Sequence, residues 1–325
     1  MSTSLVTVFG GTGFLGRHTV RALAKAGKRI RVAVRHPLQG FFLPPMGTVG
    51  QIALVKCNVR EEDQVAAAVA GAEAVVNLTG ILSPGGEQTF EALHAEAAGT
   101  IARCAAAAGA QTLVHVSAIG ADKDAESQYA ASKGDGEARV REAFPGAAIL
   151  RPSLVFGAED GFFNRFAALA RALPVLPLIG GGHSKFQPVF VGDVAAAIAR
   201  CAADPSLGGK TYELGGPTVY SFKELLEIVL RETGRTRLLV PMPFALATLK
   251  AMVLQFLPGP LKLTPDQVTL LKSDTVVTGS DTLASLGIVP SSVEAEVPAY
   301  LWRFRAKGQY EEIVREKVSE APAPL

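Results

Sequence analysis

Short apolar runs bounded by glycine alternate with alanine-rich amphipathic stretches through the first two thirds of the chain. The runs fall near 5–9, 30–35, 52–57, 74–79, 112–117 and 148–151, and the segments between them read as helices. Strand and helix in strict alternation predict an α/β architecture: a doubly wound parallel sheet with helices on both faces. Residues 211–214 read as a last strand, and Asp193 as the N-cap of a helix over 194–203. Beyond about residue 216 the alternation stops. The expected organisation is therefore a sheet domain over 1–215 and a smaller C-terminal lobe over 216–325, joined by an inserted piece near 161–186.

The first strand carries the most chemistry. Residues 5–17, LVTVFGGTGFLGR, run from strand through a glycine turn into a helix, the layout of a dinucleotide pyrophosphate cradle. Gly10 permits the tight turn, Gly13 lets backbone approach the phosphates, Gly16 allows the helix to pack on its strand, and the helix amides face the anion. Thr12, Phe14, Leu15 and Arg17 belong to the same turn. A carboxylate about 20 residues past the glycines would hold a free ribose 2′-hydroxyl. Arg35 ends the second strand instead. A guanidinium there grips a 2′-phosphate bidentately, with Arg17 placed to help, so the cofactor expected is NADPH (NADP). Ligand in such sheets sits at the carboxyl ends of the strands. Asn58 and Val59 after the third strand, and Thr79 and Gly80 after the fourth, are the candidates there.

Ser117 closes the fifth strand, and twelve residues later Tyr129 and Lys133 stand four apart on a predicted helix, on one face. An ammonium beside the phenol favours phenolate and lowers a pKa that is about 10 in isolation. In that reading Tyr129 passes protons, Ser117 bonds a substrate oxygen, and Lys133 reaches the nicotinamide ribose.

Composition removes other classes. A formal net charge of +2 with mixed signs gives no field for nucleic acid. Cys57, Cys104 and Cys201 are scattered among five histidines without ligand spacing, which predicts neither a disulfide framework nor a metal site. No apolar run approaches the roughly 18 residues that span a bilayer.

With its glycine turn and Ser117, Tyr129 and Lys133, the chain resembles the short-chain dehydrogenase/reductase superfamily in its extended or atypical branch, a Rossmann fold. The residue that aligns with the superfamily's relay asparagine, three before Gly99, is Glu96. Residues 150–157, LRPSLVFG, resemble the loop over the nicotinamide, which implies Pro152, Ser153 and Val155 as cofactor contacts. Residues 187–194, QPVFVGDV, resemble the segment that returns to the sheet. Phe144-Pro145, residues 151–153, 156–160 and 163–166, and Thr264-Pro265-Asp266-Gln267-Val268 resemble more narrowly the nucleotide-binding accessory subunit of respiratory complex I, the NADH:ubiquinone oxidoreductase. That resemblance implies a tightly held NADPH that stabilises the subunit and its docking to the core subunits of complex I, without turnover.

The C-terminal lobe adds a physical reading of its own. Between Gly234 and Thr264 stand Arg235, Arg237, Lys250 and Lys262 and no acidic residue, and residues 244–257 form an apolar segment bounded by prolines. It is too short to span. Three fates fit it: burial in the lobe, shallow insertion at a membrane surface through 241–263, or a protein groove. The tail at 301–307 alternates aromatic and basic residues and either extends that surface or forms a solvated edge, and 320–325 is expected to be disordered. Phe162, Phe163 and Phe186 are candidates for an apolar substrate wall. A first strand within five residues of Met1 leaves no room for a leader. The place expected is thus the cytoplasmic side of a bacterial inner membrane, peripheral, or the mitochondrial matrix side if a transit peptide has been removed. The alternative function is a soluble NADP-dependent reductase, dehydrogenase or epimerase for a small carbonyl or hydroxyl substrate.

Overall fold

A computed structural model describes residues 4–306 and 308. Seven parallel strands form the main sheet: β1 (Leu5–Phe9), β2 (Arg29–Val34), β3 (Ile52–Lys56), β4 (Ala74–Asn77), β5 (Thr112–Val116), β6 (Ala148–Pro152) and a last strand, Thr211–Leu214. Their order across the sheet is Thr211–Leu214, β6, β5, β4, β1, β2, β3. The chain therefore reverses its direction of winding beside β1, where Val6 pairs with Ile30 on one side and Ala74 on the other. A cleft outside the strand ends at that point is the ligand position of such sheets.

The strands are apolar because helices cover both faces. Val6 and Val8 point into one core layer with Val20, Leu23 and Ile198; Phe9 points into the other with Val75, Ile101 and Leu113. The first layer lies against α1 (Phe14–Lys25) and the helix Val191–Ala203, the second against α2 (Glu62–Val69), α3 (Ala97–Ala107) and α4 (Gln128–Ala143). Thr7, buried between strands, donates its hydroxyl to Ala68 O at 2.9 Å. The helix expected over 194–203 begins three residues earlier, at Val191, with Phe190 as N-cap and Asp193 in the first turn.

The chain divides into two units. The sheet unit runs to Val155 and adds Gln187–Pro217 and Thr275–Pro290; the second unit holds Phe156–Phe186, Thr218–Asp274 and the chain from Ser291. The reading that gave all of 216–325 to the smaller lobe is corrected at 275–290. Leu283 and Leu286 fill the first core layer of the sheet, and Glu213 accepts from the Thr278 and Gly279 amides at 2.6 and 2.9 Å. Short apolar positions in a loop, two of them, were the only sign of this return.

In the second unit Val175–Ile179 pairs in parallel with Leu238–Met242, among the helices Phe163–Ala172, Phe222–Glu232, Phe244–Leu254 and Pro265–Leu270. Ser221 with Glu224, and Thr264 with Gln267, form capping boxes that start two of them. Asp160 is buried and accepts from the Phe162 and Asn164 amides at 2.9 and 3.2 Å and from the Tyr300 hydroxyl at 2.6 Å, tying the last helical turns to 157–164. Of the three fates open to the apolar segment, full burial is overturned. Ala247 and Ala251 pack on Ile179 and Val268, whereas Leu249, Val253 and Phe256 are 63, 69 and 82 % exposed. The tail at 301–306 is a helical end, with Arg305 bonded to Glu232 O at 2.8 Å; residues 320–325 lie outside the described residues.

Candidate functional site

The glycine turn has the tightness that the sequence asks for. Gly10 sits at φ 77°, and a Cβ on it would meet Leu78 O at 2.8 Å; one on Gly16 would meet Gly10 O at 2.2 Å and Gly11 backbone at 2.6 Å. β1, α1 and the end of β4 therefore touch backbone to backbone. Gly13 is exposed and serves as N-cap of α1 without a side-chain cap, and the first turn carries no acidic residue. Its free amides and the positive end of the helix dipole define an anion position. Thr12, Phe14, Leu15 and Arg17 line the same turn, half-buried.

Deeper along the strand ends, a second group comes together from β4, β5 and α4. Ser117 follows β5 and Thr79 follows β4; the oxygens Ser117 Oγ and Thr79 Oγ1 are buried and without a hydrogen-bond partner among the described residues. Such orphans are costly unless a ligand or water completes them. Lys133, buried on α4, donates to Val116 O at 3.1 Å. Gly80 abuts this group: a Cβ there would stand 3.3 Å from Lys133 Nζ and 3.4 Å from His94 Nε2. Tyr129 lies one turn before Lys133 on α4, packed edge-on against His94 and Phe90 at ring-centre distances of 5.4 and 6.0 Å.

Electrostatics departs from expectation at Tyr129. Burial pushes its phenol up to about 12 and outweighs any help from a neighbouring ammonium, while burial pulls Lys133 down to about 8 against the opposing carboxylate of Glu137. Glu137, one turn further, is itself held by Arg151 at 2.7 and 2.8 Å and by Arg141 at 3.1 Å, which fixes α4 to β6.

Other predicted residues are placed differently. Arg35 is exposed at the end of β2. Asn58 spends its side chain locally, accepting from the Arg60 amide at 3.3 Å and donating to Glu61 at 3.4 Å, beside half-buried Val59. Pro152 is buried at the end of β6, and Val155 is half-buried. Ser153 Oγ donates to Thr275 O at 2.6 Å and accepts from the Gln187 amide at 3.2 Å, so its hydroxyl secures the returning segment 275–290 rather than a ligand.

The residue missed by sequence reasoning is His94. It lies in a π turn, Glu91–Glu96, ahead of α3. Glu96 faces solvent, so it fills no relay position; the inward side chain is His94. Its Nε2 accepts from the Ile81 amide at 3.0 Å, which puts the ring proton on Nδ1, 2.9 Å from Ser132 Oγ. Ser132 in turn donates to Tyr129 O at 2.8 Å. Burial, and then the Lys133 charge, pull the imidazole down to about 3. A neutral, doubly bonded histidine thus locks the 79–81 loop to α4. The helical period exposes the signal: His94 shares the buried stripe of Ala97, Ala98 and Ile101. Gly136 makes the approach possible, since a Cβ there would lie 2.1 Å from His94 O. Among the described residues no group of three or more His, Cys, Asp or Glu is placed to hold a metal.

A strand-turn-helix cradle at the reversal of a parallel sheet, with Ser, Tyr and Lys at the neighbouring strand end, defines an extended short-chain dehydrogenase/reductase fold with an NAD(P) site. The chain belongs to the NAD dependent epimerase/dehydratase family, whose model matches residues 6–215. It is 36 % identical over 334 residues to the mitochondrial NADH dehydrogenase (ubiquinone) 1 alpha subcomplex subunit 9 of Arabidopsis thaliana, covering 98 % of this chain and 82 % of that protein. The Mus musculus subunit of the same name is 33 % identical over 308 residues, covering 94 and 81 %. A ceramide reductase of Caulobacter vibrioides is 36 % identical over 207 residues, 63 % of this chain and 62 % of that one. Among solved structures, an NADPH-dependent quinone oxidoreductase of Escherichia coli complexed with NADPH superposes with a TM-score of 0.72 at 21 % identity, over 91 % of this chain and 99 % of that one, a likeness of fold.

Proposed function

We propose that this protein is an NADP(H)-binding accessory subunit of respiratory complex I, in which the nucleotide stabilises the subunit and the protein lies peripherally at the membrane surface on the reducing side. The observation that carries this reading is the end-to-end likeness to the alpha subcomplex subunit 9 proteins, 36 % over 98 % of the chain. No helix among the described residues is long and apolar enough to cross a membrane; the attachment proposed is through the surface-exposed apolar residues of the second unit.

The residues present fit a dinucleotide. The Gly13 end of α1 meets the pyrophosphate, Arg17 and Arg35 the 2′-phosphate, and the orphaned oxygens of Thr79 and Ser117 the far half of the molecule, where Lys133 and Tyr129 are at hand. When bound, the nicotinamide supplies a hydride donor or acceptor. Burial pushes the Tyr129 phenol up to about 12 and both nitrogens of His94 are engaged, which leaves Lys133, pulled down to about 8, as the group of this site nearest neutrality. These features favour holding the nucleotide over turning it over.

Gentle solubilisation of membranes should bring the chain down with the core subunits of complex I, and denaturing the purified protein should release NADPH near one equivalent. Recovery only as a free soluble protein would overturn the assignment. A reductase is the second reading, favoured by the ceramide reductase among the relatives and by Ser117, Tyr129 and Lys133 sharing one site. Its test is oxidation of NADPH by a carbonyl panel that includes keto-lipids, lost in Tyr129→Phe with nucleotide binding kept.

A further inference from the structure

The first 60 residues hold nine of the chain's 32 lysines and arginines and none of its 30 acidic residues. They fold as β1, α1, β2, β3 and the loops between, at the β3 edge of the sheet, so an asymmetry in sequence becomes an asymmetry in space. On α1, Gly16, Thr19, Val20, Leu23 and Ala24 are buried, and the opposite face exposes Arg21 and Lys25 one turn apart, with no acidic residue anywhere on the helix. Exposed Arg29 follows at the start of β2.

Like charges four apart weaken a helix. Elsewhere this chain mates its cations at that spacing: Arg141 with Glu137, Lys223 with Glu227 and Arg200 with Asp204, at 3.1, 3.6 and 3.7 Å. The helix dipole favours Lys25, in the last turn, but not Arg21. Nor does the cradle use this row. Counted along α1 from Gly13, Arg21 and Lys25 stand about 12 and 18 Å away, on a helix that runs from the carboxyl ends of the strands, where a dinucleotide sits, toward their amino ends.

A rigid apolar rim lies beside the row. Pro37–Gly40 and Pro44–Met46 are 3₁₀ turns, and Leu43 between them is fully buried in the first core layer. The loop turns Phe41 and Phe42 outward, 60 and 39 % exposed, and the ring centre of Phe42 stands 4.9 Å from the guanidinium carbon of Arg17 in the first turn of α1. Its far end is stitched to the other end of the helix. Gln51 Nε2 donates to Ala24 O and Lys28 O at 2.8 and 3.0 Å, and Gln51 Oε1 accepts from the Thr48 amide at 2.8 Å, next to fully exposed Val49. The loop thus follows α1 from first turn to last, with apolar groups at both ends and cations along it.

We propose that this face, α1 with the loop 36–51, docks a protein surface rich in carboxylates. Charge complementarity sets the partner's sign. Aromatic and arginine side chains are what protein interfaces concentrate, and a loop held by 3₁₀ bonds and a buried leucine presents them already ordered, which favours a protein over a lipid surface. The proposal rests on the complex I reading above and gives the sheet unit a docking role of its own, separate from the exposed apolar residues of the second unit.

The test is retention of the full chain in complex I isolated in mild detergent as salt is raised. Arg21→Glu/Lys25→Glu should lower retention roughly tenfold, Lys25→Arg should keep it, and Phe41→Ser/Val49→Ser should lower it by a smaller factor, all with the melting temperature of the free chain unchanged. A zero-length carbodiimide should join the Lys25 amine to an aspartate or glutamate of a core subunit. A charge-reversed chain retained as the wild type is would overturn the proposal. So would loss of flotation in that variant, with vesicles of phosphatidylcholine and phosphatidylglycerol in equal parts, while complex I still holds it, since the face is then a lipid contact. A wild type that complex I never retains removes the complex I reading itself, and the proposal with it.

Discussion

At the scale of single residues, the cradle leaves no room for one methyl group. A Cβ on Gly16 falls 2.2 Å from Gly10 O and 2.6 Å from the Gly11 backbone, whereas one on Gly13 meets only Gly10 O at 3.3 Å. Gly16→Ala should therefore cost roughly 3 kcal/mol or more and abolish NADPH binding, while Gly13→Ala should keep the fold and weaken the nucleotide. Thermal melts with and without NADPH separate the two effects. The buried histidines act in the other direction, through protons. His94 and His115 are both pulled down to about 3, chiefly by burial. An unfolded chain protonates each near pH 6.5, and the folded chain refuses until about pH 3. Across that window the unfolded state binds more protons, so the stability present above pH 6.5 is lost as pH falls, by up to about 1.4 kcal/mol per histidine per pH unit. Urea midpoints measured between pH 7.5 and 5 should drop steeply, and His94→Asn should make the slope shallower by one histidine's share.

Elements were legible in the sequence where a period or a cap announces them. The strands of the main sheet and α1 follow from apolar runs and glycines, and residue-by-residue alternation in β1 between the two core layers shows why a parallel strand reads as continuously apolar. What was not legible has a common cause: the information lies in contacts distant along the chain. Nothing local says that Leu283 and Leu286 return to the first core layer, or that Ser153 spends its hydroxyl on Thr275. In the alanine-rich helix, counting from Gly99 selected Glu96, but a π turn and the close passage of Gly136 bring His94 inward instead. The second unit has its own long-range pin. Tyr300 donates to buried Asp160 at 2.6 Å across 140 residues, and the backbone amides of Gly157, Phe162 and Asn164 donate to the same carboxylate. Tyr300→Phe removes one partner of a buried group and should destabilise the second unit by about 1–3 kcal/mol, read by proteolysis near residues 157–164 and 298–301 ahead of the sheet unit.

For the whole molecule, the open question is what the second unit meets. The helix Phe244–Leu254 buries Ala247 and Ala251 and presents Leu249, Met252 and Val253, continued by Phe256 after its end. Of the four cations in that acid-free stretch, Arg235 and Arg237 are drawn inward to Phe304 O and Ala170 O, while Lys250 is exposed and Lys262 half-buried. An apolar ridge with two lysines should bind membranes that carry negative charge, in a salt-dependent way, each lysine adding about 1 kcal/mol or roughly fivefold. Flotation of the full chain with vesicles of neutral and of anionic lipid tests this directly. Binding should follow the anionic fraction, fall about fivefold in Lys250→Glu or more, and vanish in Leu249→Glu/Phe256→Glu, with NADPH binding untouched because the glycine cradle proposed to hold the nucleotide belongs to the sheet unit. If the double variant floats as the wild type does, the ridge is not the membrane contact. If no vesicle captures the wild type while complex I still does, the ridge faces a protein, and the attachment proposed here passes through subunits instead of lipid.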